Sequence, residues 1–175
     1  MNKKDKILKM LLIMVISGIF GFIYETIFYR IDLGYFVKRG DTLGPWLPIY
    51  SFGGLLITLM YVKDSNNSFE IFLRSMLVCG GLEYICGFIF LEYFGLRLWD
   101  YNNEILNFGN INGFICLRSI LFFGISGVFL VKIVNPLLDK FKNKVNKYVY
   151  YSCCIIPAFL LLVDVLTHNL VNLIK

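Results

Sequence analysis

The chain is 175 residues long, 58% hydrophobic and 17% aromatic, with only 17% charged residues and a mean hydropathy of +0.69. A soluble domain of this size carries about 25% charged residues because its surface faces water, so an ordinary soluble fold is excluded. The net charge of +5 comes without any basic, solvated domain, which argues against nucleic acid as a partner.

The apolar residues fall in blocks, and about 20 residues at 1.5 Å rise cross a bilayer core. The first block, Ile7–Phe28, follows Lys3, Lys4 and Lys6 as a signal peptide would. It outruns a signal core of about 7–15 residues and meets Gly18, Gly21 and Glu25 without a small-residue cleavage site, so it reads as a retained span. The segment Leu33–Trp46 mixes aromatics, glycines and charges, and Gly44, Pro45 and Pro48 break any helix before the next block. That block, Leu47–Val62, is the shortest and the weakest span. The connection Lys63–Glu70 is too short to dock much. The third span, Ile71–Phe94, leads into a second mixed segment, Leu96–Cys116, with Gly109 and Gly113 as breakers.

A fourth span covers Ile115–Leu138, and the charged stretch Pro136–Lys147 reads as an interfacial loop in preference to a short basic helix. Its Lys140, Lys142, Lys144 and Lys147 are expected to anchor the inner leaflet. The fifth span is Tyr148–Ile174, with Asp164 and the single histidine, His168, one turn apart as a hydrogen-bonded structural pair. Cys79, Cys86, Cys116, Cys153 and Cys154 lie within or at the edges of spans, without metal-ligand spacing, and read as small buried hydrophobes. No metal, cofactor or catalytic constellation is expected.

The expectation is therefore a single all-α membrane domain, 1–175, a bundle of about five spans. Laying the third span on the first at an offset of 58 residues matches Ser17 with Ser75, Glu25 with Glu83, Ile27 with Ile85, Ile31 with Ile89, Leu33 with Leu91, Tyr35 with Tyr93, Phe36 with Phe94 and Arg39 with Arg97. Chance would give about two such identities in that window. The Glu-to-Arg spacing, reproduced in both copies, predicts a parallel internal repeat, about 7–62 and about 70–138, with an additional span at about 148–174.

An odd number of spans puts the termini on opposite sides. With the N-terminus inside, the inner side holds Lys3, Lys4, Lys6, Lys9, Lys63, Arg74, Lys132, Lys140, Lys142, Lys144 and Lys147; the outer side holds Arg30, Lys38, Arg39, Arg97, Arg118 and Lys175. Eleven basic residues against six predict the N-terminus in the cytoplasm and the C-terminus outside a cell membrane.

Ionised carboxylates at the depth of Glu25 and Glu83 cost several kcal/mol if they face lipid. They are expected to face protein, with Arg39, Arg97 and Arg118 as partners and a polar ligand site between the repeats toward the outer leaflet. Tyr35, Phe36, Trp46, Trp99 and Tyr101 suit a headgroup-level aromatic belt, or else fold inward to line that site.

Several motifs carry a family resemblance: Gly44-Pro45-x-x-Pro48-Ile49-Tyr50-x-x-Gly53, Leu82-Glu83-Tyr84, Trp99-Asp100-Tyr101, and Asn110-Ile111-Asn112-Gly113 running into Ile115-Cys116-Leu117. In this order the chain resembles the family called Putative ABC-transporter type IV, or CmpB-like membrane proteins. It departs at Ser51, where the family often has Gly, and at Phe114, where it often has Arg. The resemblance implies a multi-pass permease-like subunit. With the charges above, it nominates Glu25, Arg39, Glu83, Arg97, Trp99, Asp100, Asn112 and Arg118 for ligand binding.

No G-x-x-x-x-G-K-[ST] loop occurs, so a permease of this kind needs a separate ATPase subunit. Membrane lipids surround it, and a homo-oligomer would supply the helices that five spans lack. Two other classes stay open: a lipid-headgroup-handling or lipid-modifying protein that grips phosphate with the arginines, with Glu83 or Asp100 as a general base, and a non-transporting assembly or regulatory subunit.

Overall fold

The computed structural model describes residues 2–60 and 67–174, with side chains through His168. Tyr61, Val62, Lys63 and Lys175, used above for the second span and the orientation, lie outside the described residues. The described chain is helical: α1 (Lys3–Leu33), α2 (Pro48–Met60), α3 (Ser68–Phe94), α4 (Leu117–Phe129), α5 (Asn135–Lys144) and α6 (Lys147–Ile174). Among the described residues, four stretches are long and apolar enough to cross a membrane: Lys3–Leu33, Ser68–Phe94, Leu117–Lys144 and Lys147–His168. The second expected span is α2, and its 13 described residues cover about 20 Å at 1.5 Å each, short of a bilayer core.

Local chemistry sets the helix ends. Asn2 caps α1 by accepting the Asp5 N–H at 2.8 Å, and Asn67 caps α3 by accepting the Phe69 N–H at 3.0 Å. Both helices stop at a glycine in the left-handed region, Gly34 at φ +80° and Gly95 at φ +65°. At Gly95 the chain closes with 3.0 Å bonds from Gly95 N–H to Leu91 O and from Leu96 N–H to Phe90 O. Pro48 opens α2, where its missing N–H leaves nothing unsatisfied.

The stretch expected as a charged loop is instead α5, a correction. A π-turn at Leu130–Val134 follows α4, and Asn135 N–H bonds back to Leu130 O. Widening the helix there accommodates Pro136, whose ring would strike a carbonyl four residues back in regular α geometry. Helix once begun propagates without a new nucleus, and Lys142 and Lys144 in the last turn suit its negative end.

The chain divides into two compact units, Met1–Leu55 with Pro136–Lys175, and Leu56–Asn135. In the first, α1 and α6 run side by side in one direction. At their starts Leu8, Tyr150 and Cys154 form a buried cluster against which Leu12, Phe141, Val145 and Tyr151 pack, tied by ion pairs Lys142–Asp5 at 2.6 Å and Lys9–Asp139 at 2.8 Å. Further along, small residues let the backbones approach, as membrane helices require. Gly21 of α1 faces the Tyr50 ring and Ser17 sits against Gly54. In the second unit α3 packs on α4, with Ser75 against Gly127 and Phe72 against Gly124.

Candidate functional site

Each unit holds a glutamate within an apolar helix, Glu25 partly buried and Glu83 buried. In the first unit Glu25, on α1, accepts from Arg39 through Nε and Nη2, both at 2.9 Å, and from the Tyr50 hydroxyl at 3.0 Å. The Arg39 guanidinium also lies 3.7 Å from the centre of the Tyr29 ring. The expected pairing of Glu25 with Arg39 is therefore present, and Tyr50 of the Gly-Pro motif completes it.

The reason that motif sits where it does is Asp164. Its carboxylate accepts the Leu43 N–H at 3.0 Å, the Gly44 N–H at 2.7 Å and the Trp46 indole N–H at 2.8 Å, and His168 Nδ1 lies 3.1 Å from it. Helix α6 thus fastens the irregular segment before α2. Trp46 is drawn inward, while Tyr35 at 61% and Phe36 at 76% stay exposed as belt residues do.

In the second unit Glu83 is 4% exposed, and its two oxygens accept from the Tyr101 hydroxyl at 2.5 Å and the Ser119 hydroxyl at 2.9 Å. Ser119 belongs to the cap of α4, where it also accepts the Cys116 N–H at 3.3 Å. Tyr101 is itself buried and held by the short turn Tyr101–Asn103, which Asp100 caps. Arg118 pairs with Glu104 at 2.5 Å and stands 5.3 Å from the Tyr101 ring centre.

Arg97 does not repeat what Arg39 does. It pairs with Asp100 at 2.6 Å, donates to the Asn112 carbonyl at 3.0 Å and lies 5.4 Å from the Phe114 ring centre. The i, i+3 carboxylate of Asp100 outcompetes the distant Glu83 because closing a three-residue loop costs far less entropy. Trp99 donates to Phe114 O at 2.9 Å, and Gly87 leaves room for both rings. Phe114, where the family often carries Arg, is a buried platform beneath Arg97. At Gly113, φ is +76° and a Cβ would run into Asp100, Arg97 and Asn102, so only glycine fits.

Asp100 sits outside the spans. Desolvation raises its carboxyl, but the Asn102 N–H, the Arg97 hydrogen bond and charge, and the Asn102 side chain outweigh that and hold it below the ordinary carboxylate value. Of the eight nominated residues, Glu25 and Arg39 meet in one unit. In the other, Arg97, Trp99, Asp100 and Asn112 interlock as one folded segment, Glu83 takes hydroxyl donors, and Arg118 takes Glu104. Tyr50, Tyr101, Ser119, Glu104 and Asp164 join these networks without having been nominated. Tyr50 and Tyr101 were visible inside the motifs, whereas Asp164 gave no signal beyond its spacing to His168.

Among known families, the one described as Putative ABC-transporter type IV matches residues 12–168. Comparison with curated proteins and with solved structures finds no match.

Proposed function

The chain belongs to the Putative ABC-transporter type IV family, and from that premise we propose that this multi-pass helical membrane protein is the permease-like subunit of an ABC transporter, handling its ligand at the polar clusters around Glu25 and Glu83. A separate ATPase subunit supplies nucleotide hydrolysis. One observation carries this reading: each glutamate sits in a long apolar helix and accepts the hydroxyl of a tyrosine from the segment that follows, Tyr50 in one case and Tyr101 in the other. Such networks are exchangeable. A ligand cation competes with Arg39 for Glu25, and a ligand anion competes with Glu25 for Arg39.

A matching pair of helix contacts supports the same reading. Ser17 lies against Gly54 as Ser75 lies against Gly127, and each serine stands eight residues before its glutamate. The proposed orientation, N-terminus in the cytoplasm and C-terminus outside a cell membrane, draws support from α1 and α6 starting together at a lysine-rich end. Assembly as a homo-oligomer completes the helical wall.

A non-transporting assembly subunit is the second reading, favoured by the closure of Arg39 on Glu25 and of Arg118 on Glu104. The lipid-headgroup reading needs arginines turned to phosphate, whereas Arg39, Arg97 and Arg118 each face a carboxylate.

The test is purification of the tagged full chain from its native membrane in mild detergent, with ATP hydrolysis measured on the complex. An ATPase subunit should accompany the wild type, Glu25→Gln and Glu83→Gln, with hydrolysis altered several-fold in both variants. A chain that carries no ATPase sinks the transporter reading. A bound ATPase whose rate neither variant changes leaves the assembly reading.

A further inference from the structure

We propose that the lysine-rich end of the first unit binds the phosphate headgroup of an anionic glycerophospholipid, at a surface centred on Lys4, Tyr151 and Lys147. This goes beyond the transport reading and does not depend on it.

Between residues 2–9 and 136–151 the sequence carries eight lysines against two aspartates. Both aspartates are already engaged, Asp5 by Lys142 at 2.6 Å and Asp139 by Lys9 at 2.8 Å. The remaining lysines, Lys3, Lys4, Lys6, Lys140, Lys144 and Lys147, are exposed. The fold then does something the sequence order does not: it brings Lys4 of α1 and Lys147 of α6 to one aromatic ring. Their ammonium groups lie 4.5 Å and 5.6 Å from the centre of Tyr151.

Two positive charges on one ring stand within about 10 Å of each other, no more than a Debye length at 0.1 M salt, so they repel unless an anion lies near both. A phosphodiester supplies that anion and accepts from both ammonium groups. The surroundings select a lipid over an acidic protein face. Exposed Ile7, Tyr148 and Val149 alternate with the lysines at the starts of α1 and α6, and exposed Leu137 lies among the lysines of α5. Apolar side chains beside lysine heads at that depth match acyl chains below and phosphates above.

The experiment uses the full chain in detergent with an equimolar mixture of phosphatidylglycerol and phosphatidylcholine bearing the same acyl chains, counting retained lipids by native mass spectrometry. The wild type should retain phosphatidylglycerol preferentially, and raising the salt from about 0.1 M to about 1 M should erase the preference as screening shortens to about 3 Å. Each lysine beside an anionic surface contributes on the order of fivefold. The double substitution Lys4→Gln/Lys147→Gln should therefore cut the preference by about 25-fold, while Lys4→Arg/Lys147→Arg keeps it. Lys38→Gln, beyond the other end of α1, should leave it unchanged. Equal retention of the two lipids by the wild type overturns the proposal, as does a preference that survives the glutamine pair or falls equally with Lys38→Gln. If the glutamine pair does not fold, as judged by helical circular dichroism, the arginine pair and the salt series decide in its place. Loss of an accompanying ATPase with the lipid preference intact would assign the surface to protein docking and overturn the proposal. A failed lipid preference leaves the Glu25 and Glu83 ATPase readout untouched, so the two readings fail separately.

Discussion

Glu83 shows how a costly charge is accommodated in an apolar chain. Its two oxygens each accept a hydroxyl, from Tyr101 and from Ser119, and none of these three residues is more than 7% exposed. Removing one donor leaves a buried acceptor short, which costs about 1–3 kcal/mol. Tyr101→Phe should therefore lower thermal stability in detergent by that amount. In a double-mutant cycle with Glu83→Gln the two losses should be non-additive by at least about 0.5 kcal/mol; additive losses would show that the pair does not interact. Gly113→Ala meets both the left-handed backbone and the Asp100, Arg97 and Asn102 side chains. It should cost about 1–2 kcal/mol from conformation alone, with the clash added, read as faster proteolysis of the 96–116 segment. A variant as resistant as the wild type would refute the assigned role.

Asp100 adds a pH dependence whose sign is fixed. Its folded carboxyl titrates below its unfolded value, so its stabilisation is complete above the ordinary carboxylate range and is lost as pH falls through the folded value. The side chain is 37% exposed, so screening by solvent keeps the effect small. Acidification should loosen the 96–116 segment in limited proteolysis, and Asp100→Asn should abolish that component. At this scale the sequence was readable where partners are local or recur: Glu25 with Arg39 followed from the repeated spacing. The same spacing misled at Arg97, because Asp100 stands beside it, whereas the position 58 residues earlier, beside Arg39, is Thr42. Asp164 was unreadable as an anchor, since its bonded amides lie some 120 residues away.

At the scale of elements, the long apolar helices were legible from block length, since within a bilayer the backbone is satisfied only in helices or closed barrels, and a barrel strand needs only about 9–11 residues where a helix needs about 20. Helix α5 was not, because its lysines and Pro136 resemble a loop. A π-turn absorbs the proline, and the preceding helix removes the nucleation cost. Helix α6 was expected only as an addition to a duplicated pair, yet it runs along α1 and holds the segment before α2 through Asp164. Asp164→Ala should release Trp46, whose indole it accepts at 2.8 Å. In a Trp99→Phe background, where Trp46 is the only tryptophan, its fluorescence should shift to the red as the ring meets water, with a loss of about 2–4 kcal/mol for several bonds broken together. An unshifted spectrum would mean that the fastening is dispensable.

For the whole molecule, the scarcity of charge noted at the outset resolves into distinct assignments. Lysines gather where α1 and α6 begin; glutamates, arginines, Asp100 and Asp164 are tied into hydrogen-bonded networks elsewhere. The family match over residues 12–168 agrees with the resemblance carried by the Gly-Pro, Leu-Glu-Tyr, Trp-Asp-Tyr and Asn-Gly motifs. What those motifs do locally is now visible: they supply Tyr50 and Tyr101 to the glutamates and fold the connecting segments. The proposed permease-like role rests on these networks being used as well as built. The most direct measurement is ATP hydrolysis by the complex that purifies with the full chain, compared between wild type and Glu83→Gln. An ATPase bound to both, with its rate changed several-fold by the substitution, is the outcome expected of a permease subunit; the absence of any bound ATPase, or an identical rate in both, would contradict it.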